Sequence, residues 1–372
     1  MRIAVDIRPL LECNRAGVSL YTLNLVRKLI ESGAHDYALF CNSSHRPAPI
    51  DVPTGSKVNH YFSQYPNRLL NTSFAFLGWP KIETLVAGAD LVYLPNLNFI
   101  ATNRPLVVTV HDLSFRRYPR FFSKKQRLWH CLVNAEKMIK KAAAVIAVSQ
   151  HTKDEIIESF GVSPDRIHVV TPAVGAEYRP SPTTEIATVR QKYNLPEKFI
   201  FYLGTLEPRK NVTGLIAAYN QLESDVGLVL AGGEGWLYQH IYAAAKNSPK
   251  RQQIKFIGYV AEADKPALYS AASIFAYPSF YEGFGMPALE AMACGTPVVA
   301  SHTSSLGEVV GDGGLLVNPA RVDELVLSLQ ELLSNKKLCE LLAEKGIKRA
   351  QQFTWKRSAV ELEKVFSSLF TA

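Results

Sequence analysis

The segment from Ser273 to Ser301 constrains the fold of this chain more than any other. It opens with the apolar run Ser273–Tyr277, which predicts a buried strand that ends at Pro278. After a loop with glycines, Pro287 and the alanines behind it predict a helix, and Gly295 predicts the end of that helix. A further apolar run then predicts a second strand. A strand, a helix and a strand in this order indicate an α/β fold with a parallel sheet.

Two carboxylates belong to this segment: Glu282 on the loop, and Glu290 in the predicted first turn of the helix. Both are expected in the crevice at the carboxyl end of the sheet, where open α/β sheets bind ligands. A carboxylate accepts hydrogen bonds from neighbouring hydroxyl groups, so a sugar or a ribose is a natural partner. The backbone amides of Gly283–Gly285 and the helix N-terminus suit a phosphate. The alternative is a solvated loop acid at Glu282 and a surface acid at Glu290 that the helix dipole stabilises.

The stretch Glu-Gly-Phe-Gly-x-x-x-x-Glu formed by these residues resembles the paired-glutamate motif of the retaining glycosyltransferases of family 4. The resemblance covers nearly the whole chain. It implies the GT-B architecture, in which two Rossmann-like domains with doubly wound parallel sheets face one another across a cleft. It also implies that Glu290 holds the ribose hydroxyls and Glu282 the hexose hydroxyls of a nucleoside diphosphate sugar. Gly283, Phe284 and Gly285 would line the same donor site.

The alternation of predicted strands and helices occurs twice along the chain, which at 372 residues is too long for one typical core. We expect an N-terminal Rossmann-like domain over residues 1–172, which binds the acceptor, and a C-terminal one over residues 197–353, which binds the donor. Prolines concentrate between them, so residues 173–196 are expected to form an interdomain linker. By the resemblance, the helix in residues 354–372 crosses back to the first domain.

A second group of polar residues follows the first strand predicted in the C-terminal domain. Gly204 and Thr205 end this strand, and Arg209 and Lys210 precede a predicted helix, where two cations can hold a diphosphate. The sequence contains no Asp-x-Asp, the motif through which metal-dependent transferases bind a divalent ion. We therefore expect the cations to neutralise the leaving diphosphate directly, without a metal or another cofactor. The alternative is a solvated basic pair on a surface turn.

The resemblance adds further donor contacts in this domain. It implies that Lys210 binds the donor diphosphate. In some relatives an arginine at the position of Thr205 also binds it. The role of Arg209 therefore depends on whether it replaces that arginine. It also places Gly204 beside the donor, and the nucleotide base against the backbone of Tyr259 and Val260.

In the N-terminal domain, Asn14–Ser19 joins the first strand to the first helix and lacks the Gly-x-Gly-x-x-Gly pattern of dinucleotide-binding folds. Gly17 resembles the family glycine that closes over the donor phosphate. His111 follows an apolar strand, and the resemblance places it against the donor sugar, as a catalytic residue beside Glu282 and the basic pair. A histidine in this position also suits a purely structural role.

The positive charge of the chain is concentrated in its N-terminal half. Residues 1–180 contain 22 Lys and Arg against 14 Asp and Glu, and the difference, 22 − 14 = +8, equals the net charge of the whole chain. The stretch Phe115–Trp129 holds six cations, five aromatic residues and no acid. This mixture predicts a peripheral contact with an anionic membrane surface, and we expect no nucleic-acid partner. The alternative is a solvated helix face with its aromatic side chains turned inward.

Cysteine usage and the lack of long apolar runs indicate the cellular compartment in which the protein is expected. The five cysteines are odd in number and widely scattered, which argues against a disulfide framework or a zinc site: Cys13, Cys41, Cys131, Cys294 and Cys339. The N-terminus has the pattern of a short strand with an acid inside it, unlike a signal peptide. No apolar run reaches the ~18 residues of a membrane-spanning helix. We expect a cytoplasmic protein that is peripheral at the inner face of the membrane.

These observations predict a retaining glycosyltransferase that moves a hexose to a saccharide or lipid-linked saccharide in bacterial polysaccharide biosynthesis. The resemblance to bacterial polysaccharide and O-antigen mannosyltransferases makes GDP-mannose the expected donor. Departing diphosphate, held by Lys210 and Arg209, would deprotonate the acceptor on the face of the sugar that it leaves.

Three alternatives remain: a transferase that uses a UDP-hexose, a nucleotide-sugar epimerase or phosphorylase, and a sugar-binding relative without activity. A phosphorylase requires a lysine-bound pyridoxal phosphate. An inactive relative would be expected to lack Glu282, Glu290 or Lys210, and this chain has all three.

Overall fold

The computed structural model describes residues 1–11, 17–43, 52–53 and 55–370. The chain divides into two compact units. The first comprises Met1–Phe115, Lys124–Pro172 and Trp355–Ala372, and the second comprises Arg116–Ser123 and Ala173–Thr354. The last helix therefore belongs to the first unit, and Arg116–Ser123, called here the 116–123 segment, belongs to the second.

The described part of the first unit contains a parallel sheet of seven strands in the order β3-β2-β1-β4-β5-β6-β7. The inner strands are apolar and fully buried, as is typical of parallel sheets covered on both faces. The strands are β1 Arg2–Asp6, β2 Asp36–Asn42, β3 Val58–Ser63, β4 Leu91–Leu94, β5 Leu106–Val110, β6 Ala144–Ala147 and β7 Ile167–Val169.

Helices connect these strands. They are α1 Gly17–Ser32, α2 Asn67–Thr72, α3 Ile82–Leu85, α4 Ser114–Arg117, α5 Lys124–Val133, α6 Ala135–Lys141 and α7 Gln150–Phe160. The helix with the clearest end signals is α7, because the Ser149 side chain accepts from the Thr152 amide at its start and Gly161 ends it in the left-handed conformation.

The second unit has a parallel sheet of six strands in the order β10-β9-β8-β11-β12-β13, as far as the structure describes it. The strands are β8 Phe199–Leu203, β9 Gly227–Ala231, β10 Ile254–Gly258, β11 Ile274–Tyr277, β12 Val298–Ser301 and β13 Gly314–Val317. The helices are α8 Thr183–Lys192, α9 Val212–Tyr219, α10 Gln239–Lys246, α11 Lys265–Ala271, α12 Met286–Ala293, α13 Leu306–Val310, α14 Val322–Ser334 and α15 Lys336–Ala350.

The last helix, α16 Trp355–Ser368, packs against α1 in the first unit. Its Ser358 hydroxyl donates a hydrogen bond of 2.7 Å to the Thr171 carbonyl. Near its other end, the Ser32 hydroxyl of α1 donates to the Glu363 carboxylate. These contacts fix both ends of the helix to the first unit.

Both sheets follow the strand order 3-2-1-4-5-6 of a doubly wound fold, with one more strand in the first unit. The order reverses between β1 and β4 and again between β8 and β11. Ligands of open α/β sheets bind outside the carboxyl ends of the strands at such switch points. The predicted α/β class with two Rossmann-like parallel sheets is confirmed.

The described cysteines form no disulfide: Cys41, Cys131, Cys294 and Cys339. The prediction of free thiols holds for these four, and Cys13 lies outside the described residues. None of the helices in the described ranges has both the length and the apolar composition that crossing a bilayer requires.

Glycines at the carboxyl ends of β8, β9 and β10 allow the backbones to approach one another closely. The Gly232 amide donates to the Gly258 carbonyl at 2.7 Å, and Gly232 has a φ of 132°. A Cβ added to Gly232 would lie 1.9 Å from the Gly204 carbonyl oxygen, which is far inside van der Waals contact. Only glycine fits this position, so the edge of the sheet beside the switch point depends on it.

Gly232→Ala should destabilise the second unit, and Gly233→Ala should not. The first change adds a steric clash to a backbone conformation that costs an L residue about 1–3 kcal/mol. The second adds a methyl group with no atom within 4 Å and no positive φ. Urea unfolding followed by circular dichroism measures both. Equal midpoints for the two variants would show that the close approach of Gly232 to Gly204 does not constrain this edge.

Candidate active site

Three of the residues selected from the sequence come together at the switch point of the second sheet. Arg209 and Lys210 lie on a short turn between β8 and α9, and Glu282 lies on the loop between β11 and α12. Lys210 Nζ is 2.7 Å from Glu282 Oε1, and Arg209 Nη1 is 3.0 Å from Glu282 Oε2. Both cations therefore bind the same carboxylate. Because β8 and β11 are neighbours, the turn and the loop that follow them meet at one edge.

The turn that carries the two cations is fastened to its surroundings by Asn211. This residue adopts the left-handed conformation with a φ of 55°, which asparagine tolerates better than most residues. Its side-chain amide donates to the Pro278 carbonyl at 3.1 Å and to the Pro319 carbonyl at 2.8 Å. The start of α9 is thereby bound to the end of β11 and to the loop after β13.

The loop that carries Glu282 is fastened by two serines. The Glu282 amide donates to the Ser304 hydroxyl at 2.9 Å, and the Ser305 hydroxyl lies 2.8 Å from the Glu282 carbonyl and 2.9 Å from the Phe284 carbonyl. Gly285, with a φ of 107°, then leads into α12, and a Cβ there would lie 2.5 Å from Leu306. These contacts hold the backbone of the loop without involving the Glu282 carboxylate.

Two partners of this cluster were not selected from the sequence. Glu207 binds Arg209 through Nη2 at 2.7 Å and through Nε at 3.0 Å. The Tyr277 hydroxyl accepts from Lys210 Nζ at 2.8 Å. Glu207 could have been selected because it stands two residues before Arg209 in the same turn, whereas nothing in the sequence around Tyr277 indicates its contact with Lys210.

The charges of the cluster act on one another because they are buried. Burial alone would raise the pKa of Glu282, but Lys210 and Arg209 outweigh it and hold this pKa at about 2. Burial lowers the pKa of Lys210, and Glu282 opposes that shift. Burial raises the pKa of Glu207, against the effect of Arg209. Glu282 is therefore ionised at neutral pH, and its charge is neutralised by the two cations.

Glu290 is also buried and lies in α12, the helix that follows the loop carrying Glu282. It was expected in the first turn of α12, but that helix begins at Met286, so Glu290 lies in the second turn and away from the free amides. The expectation of stabilisation by the helix dipole is therefore wrong. The solvated alternatives are wrong as well, because Glu282 and Glu290 are only 6% and 4% exposed.

Tyrosines and a lysine surround the Glu290 carboxylate. The Tyr269 hydroxyl donates to Glu290 Oε2 at 2.8 Å. Burial raises the pKa of Glu290, and Lys265 opposes this shift. Lys265 Nζ itself lies 2.5 Å from Glu262 Oε1. Sequence analysis missed Tyr269 and Lys265, because both come from α11, whose packing against α12 the sequence does not show.

The other predicted donor contacts lie at the same edge of the sheet. Thr205 follows β8 and is exposed. Tyr259, next to β10, is 54% exposed, whereas the Val260 side chain is buried. Phe284 is buried with its ring edge-on to Phe353, with the centroids 5.6 Å apart, so its side chain has a packing role.

Gly17 and His111 belong to the first unit, whereas the other selected residues belong to the second. Gly17 begins α1, and the loop residues Asn14, Arg15 and Ala16 lie outside the described residues. His111 Nε2 lies 2.8 Å from the Pro95 carbonyl, which can only accept, so Nε2 carries the proton. Its ring packs edge-on against Tyr21, with the centroids 4.7 Å apart.

The tautomer and charge of His111 follow from these contacts. Burial lowers its pKa, although the Pro95 carbonyl and Asp112 oppose the shift. The imidazole is therefore neutral at neutral pH. With the proton on Nε2, the other ring nitrogen, Nδ1, has a lone pair and acts as a hydrogen-bond acceptor.

The aromatic residues of the 116–123 segment pack within the second unit. Tyr118 lies against Tyr281 with ring centroids 5.5 Å apart, and Phe121 stacks on Phe280 at 6.2 Å. The neighbouring Phe122 stacks on Trp236 at 5.6 Å. These rings are half-buried, which agrees with the alternative of aromatic side chains turned inward for this part of Phe115–Trp129. The contact with an anionic membrane stays a prediction.

No group of three or more His, Cys, Asp or Glu in the described ranges is arranged to bind a metal ion. The side chains of Arg209 and Lys210 lie at the switch point, where they can bind an anionic ligand.

The ion pairs of Glu282 should make the stability of the second unit depend on pH. Because the pKa of Glu282 falls from its ordinary 4.5 to about 2 on folding, the pairs contribute stability above pH 4.5 that is lost as the pH falls towards 2. Glu282→Gln should cost about 3–5 kcal/mol at neutral pH, since it removes the carboxylate that pairs with the buried Lys210 and leaves Arg209 paired with Glu207. The difference in melting temperature between wild type and variant should shrink between pH 4.5 and 2.

Asp323→Asn is the matched control for Glu282→Gln. Asp323 pairs with Arg321 at 2.6 Å, but both side chains are 58% exposed, so its loss should leave the melting temperature unchanged. A difference between wild type and Glu282→Gln that stays constant from pH 7 to about 2 would contradict the assigned charge state of Glu282.

Family models match both halves of the chain. The model described as Glycosyltransferase Family 4 matches residues 15–178, and the model described as Glycosyl transferases group 1 matches residues 185–349. In sequence, the chain is 36% identical over 260 residues to O-antigen chain mannosyltransferase B of Escherichia coli, covering 68% of each chain. It is also 32% identical over 228 residues to the serotype-specific mannosyltransferase WbdA of Escherichia coli, of which it spans 28% of the length.

Among solved structures, the chain is similar to sucrose-phosphate synthase of Thermosynechococcus elongatus, with a TM-score of 0.77. The sequence identity is 20%, and the match covers 100% of this chain and 99% of the other. This likeness concerns the fold and agrees with the two doubly wound sheets. The mannosyltransferase relative and the two family models show that the chain belongs to glycosyltransferase family 4.

Proposed function

We propose that this glycosyltransferase transfers mannose from GDP-mannose to a saccharide or lipid-linked saccharide in bacterial polysaccharide biosynthesis, with retention of configuration and without a metal. The observation that carries the proposal is the buried cluster of Arg209, Lys210 and Glu282 at the switch point of the second sheet. The choice of mannose is supported by the similarity to O-antigen chain mannosyltransferase B.

The two cations provide a site for the donor diphosphate. Arg209 and Lys210 lie just before α9, at the edge where an open α/β sheet binds its ligand. Without a ligand, Glu282 supplies the negative charge that both cations need. A diphosphate can supply that charge in its place through charge-assisted hydrogen bonds. Donor binding would then exchange one anion for another, and it would release Glu282 to accept hydrogen bonds from the hexose hydroxyls.

The contacts of Glu282 in the donor complex bear on the route of the acceptor proton. A carboxylate whose oxygens accept hydrogen bonds from the hexose hydroxyls would be a weak base and a weak nucleophile. The leaving diphosphate is the better proton acceptor. An acceptor hydroxyl that approaches the face of the sugar from which the diphosphate departs would pass its proton to that diphosphate, and configuration would be retained.

His111 can contribute to binding of the donor sugar without a change in its own charge. Its neutral ring has an acceptor nitrogen at Nδ1, fixed by the contact between Nε2 and Pro95. Such a nitrogen accepts a hydrogen bond from a sugar hydroxyl. We assign it to the donor sugar.

Glu290 is assigned to the ribose of the donor. One of its oxygens is held by the Tyr269 hydroxyl, and Lys265 adds a positive charge nearby. Vicinal hydroxyls of a ribose are suitable donors to such a carboxylate. The backbone beside Tyr259 and Val260 would then lie near the base.

The proposal is tested with purified enzyme, a saccharide acceptor and three donors: GDP-mannose, UDP-glucose and UDP-galactose. GDP-mannose should be used at least tenfold faster than the uridine donors, in EDTA as well as in magnesium, since Arg209 and Lys210 provide the positive charge. Proton NMR of the product should show an α-mannosyl linkage.

Each part of the proposal can be contradicted separately in this assay. A β-mannosyl product would exclude retention of configuration. A complete and reversible loss of activity in EDTA would exclude a donor diphosphate that Arg209 and Lys210 bind without a metal. Faster use of a uridine donor would identify a UDP-hexose transferase. Conversion of the donor without transfer would identify an epimerase.

The two glutamates should differ in their effect on nucleotide binding. Glu290→Gln should weaken GDP about tenfold, the value of one charge-assisted hydrogen bond of roughly 1.5 kcal/mol. Glu282→Gln should not weaken GDP, because the Glu282 carboxylate competes with the diphosphate for Lys210 and Arg209. Isothermal titration calorimetry measures both dissociation constants.

Glu344→Gln, an exposed residue of α15, controls for the loss of a charge and should leave GDP binding unchanged. Equal weakening of GDP by Glu282→Gln and Glu290→Gln would refute the division of labour between the two glutamates.

A further inference from the structure

The side chain of Tyr269, which donates to Glu290, is fixed by the core of the second unit. It is fully buried, and its ring lies edge-on to Phe201 and Phe275, with centroids 5.6 and 5.2 Å apart. The Tyr269 carbonyl accepts from the Thr296 hydroxyl at 2.7 Å, so the backbone is held as well. A side chain that is packed in this way keeps one rotamer. The hydroxyl therefore reaches Glu290 Oε2, at 2.8 Å, from a fixed position.

A cation on the same helix acts on Glu290. Lys265, the first residue of α11, pairs with Glu262 at 2.5 Å, and its side chain is only 13% exposed. The Tyr178 hydroxyl donates to the other oxygen of Glu262 at 3.4 Å. Burial lowers the pKa of Lys265, but Glu290 and Glu262 outweigh burial and raise it. The positive charge of Lys265 is therefore shared between the two carboxylates.

Glu290 depends on these partners because it is buried. Burial raises the pKa of Glu290, whereas Lys265 and the hydrogen bond from Tyr269 favour the ionised form. An ionised carboxylate accepts hydrogen bonds on both oxygens, but the protonated acid carries a hydroxyl donor on one of them. The ionisable groups that act on Glu290, or on which it acts, include Lys265, Tyr269, Glu262, Tyr178 and Cys294.

We propose that Tyr269 and Lys265 are positioning residues for the ribose of the nucleotide donor and that they act through Glu290. This inference rests on the proposed assignment of the ribose to Glu290 and extends it to α11. Tyr269 fixes the orientation of the carboxylate by holding Oε2, and Lys265 keeps the carboxylate charged. The vicinal hydroxyls of the ribose then donate to an acceptor that is already oriented and ionised.

Isothermal titration calorimetry with GDP and the whole protein tests the role of Tyr269. Tyr269→Phe removes the hydroxyl and keeps the ring in its packing. It should weaken GDP about fivefold, as expected for the loss of one hydrogen bond. The effect should disappear with 2′,3′-dideoxy-GDP, because this nucleotide has no ribose hydroxyl to donate to Glu290. A purely structural role of Tyr269 would weaken both nucleotides equally.

A double-mutant cycle shows whether Tyr269 acts through Glu290. In the Glu290→Gln protein, the further change Tyr269→Phe should not weaken GDP again, since the carboxylate that Tyr269 orients is already absent.

Tyr193→Phe is the matched control. The Tyr193 hydroxyl donates to Asp264 Oδ2 at 2.7 Å, so this variant also removes a hydrogen bond from a tyrosine to a carboxylate of the second unit. It should bind GDP as tightly as wild type.

The role of Lys265 is tested through the pH dependence of GDP binding. Lys265→Met removes the cation that favours ionised Glu290, so the pKa of Glu290 should rise further. As the pH is lowered from about 8 to about 5, the variant should therefore lose GDP affinity at a higher pH than wild type. Titration of the diphosphate is common to both proteins. With 2′,3′-dideoxy-GDP the two pH profiles should coincide.

The positioning role is overturned if Glu290→Gln weakens GDP while Tyr269→Phe and Lys265→Met do not. It is also overturned if these two variants weaken GDP and 2′,3′-dideoxy-GDP equally. If Glu290→Gln itself leaves GDP binding unchanged, the assignment of the ribose in the proposed function fails, and the positioning role fails with it. If the protein binds UDP instead of GDP, only the choice of donor fails, and the same comparison with UDP and 2′,3′-dideoxy-UDP decides the positioning role.

Discussion

The ion cluster of Lys210, Arg209 and Glu282 is the interaction on which the ligand edge of the second unit depends. It joins the turn after β8 to the loop after β11, two segments that are distant in sequence and adjacent at the switch point. Burying charges is costly unless each is paired and hydrogen-bonded, and here Tyr277 and Glu207 complete the pairing. The cations that hold the two segments together are also those assigned to the diphosphate in the proposed function. Local structure and donor binding would therefore depend on one set of contacts.

This arrangement favours an anionic donor over a neutral sugar. A neutral ligand could displace Glu282 only by breaking its buried ion pairs with Lys210 and Arg209 without supplying another anion, which is strongly unfavourable. In the proposed function, a diphosphate would restore the pairing as it arrives, and the hexose attached to it would offer hydroxyl donors to the displaced carboxylate. Affinity for a nucleoside diphosphate sugar would then follow from charge exchange. The serines that hold the Glu282 loop would keep its backbone in place during that exchange.

The sequence was sufficient where a function depends on the order of strands. Strand and helix periodicity predicted two parallel sheets with Glu282, Arg209 and Lys210 at the carboxyl ends of strands, and the pairing of β8 with β11 brings these residues together. The sequence was insufficient where the packing of helices determines the position and the contacts of a side chain. The start of α12 at Met286 moved Glu290 out of the first turn, and the contact of Tyr269 with Glu290 depends on how α11 packs on α12. Alternating cations and aromatic residues likewise do not indicate which rings turn inward.

The basic stretch of the first half is divided between the two units after Ser123. The 116–123 segment packs on Phe280 and Tyr281, and the Tyr281 carbonyl accepts from Arg209 Nη1 at 2.7 Å. The next residue, Lys124, begins α5, which belongs to the first unit. Within the second unit, the Tyr118 and Phe121 contacts lie beside the carbonyl group that binds Arg209. The 116–123 segment therefore supports the backbone that positions this cation, although it comes from the first half of the sequence.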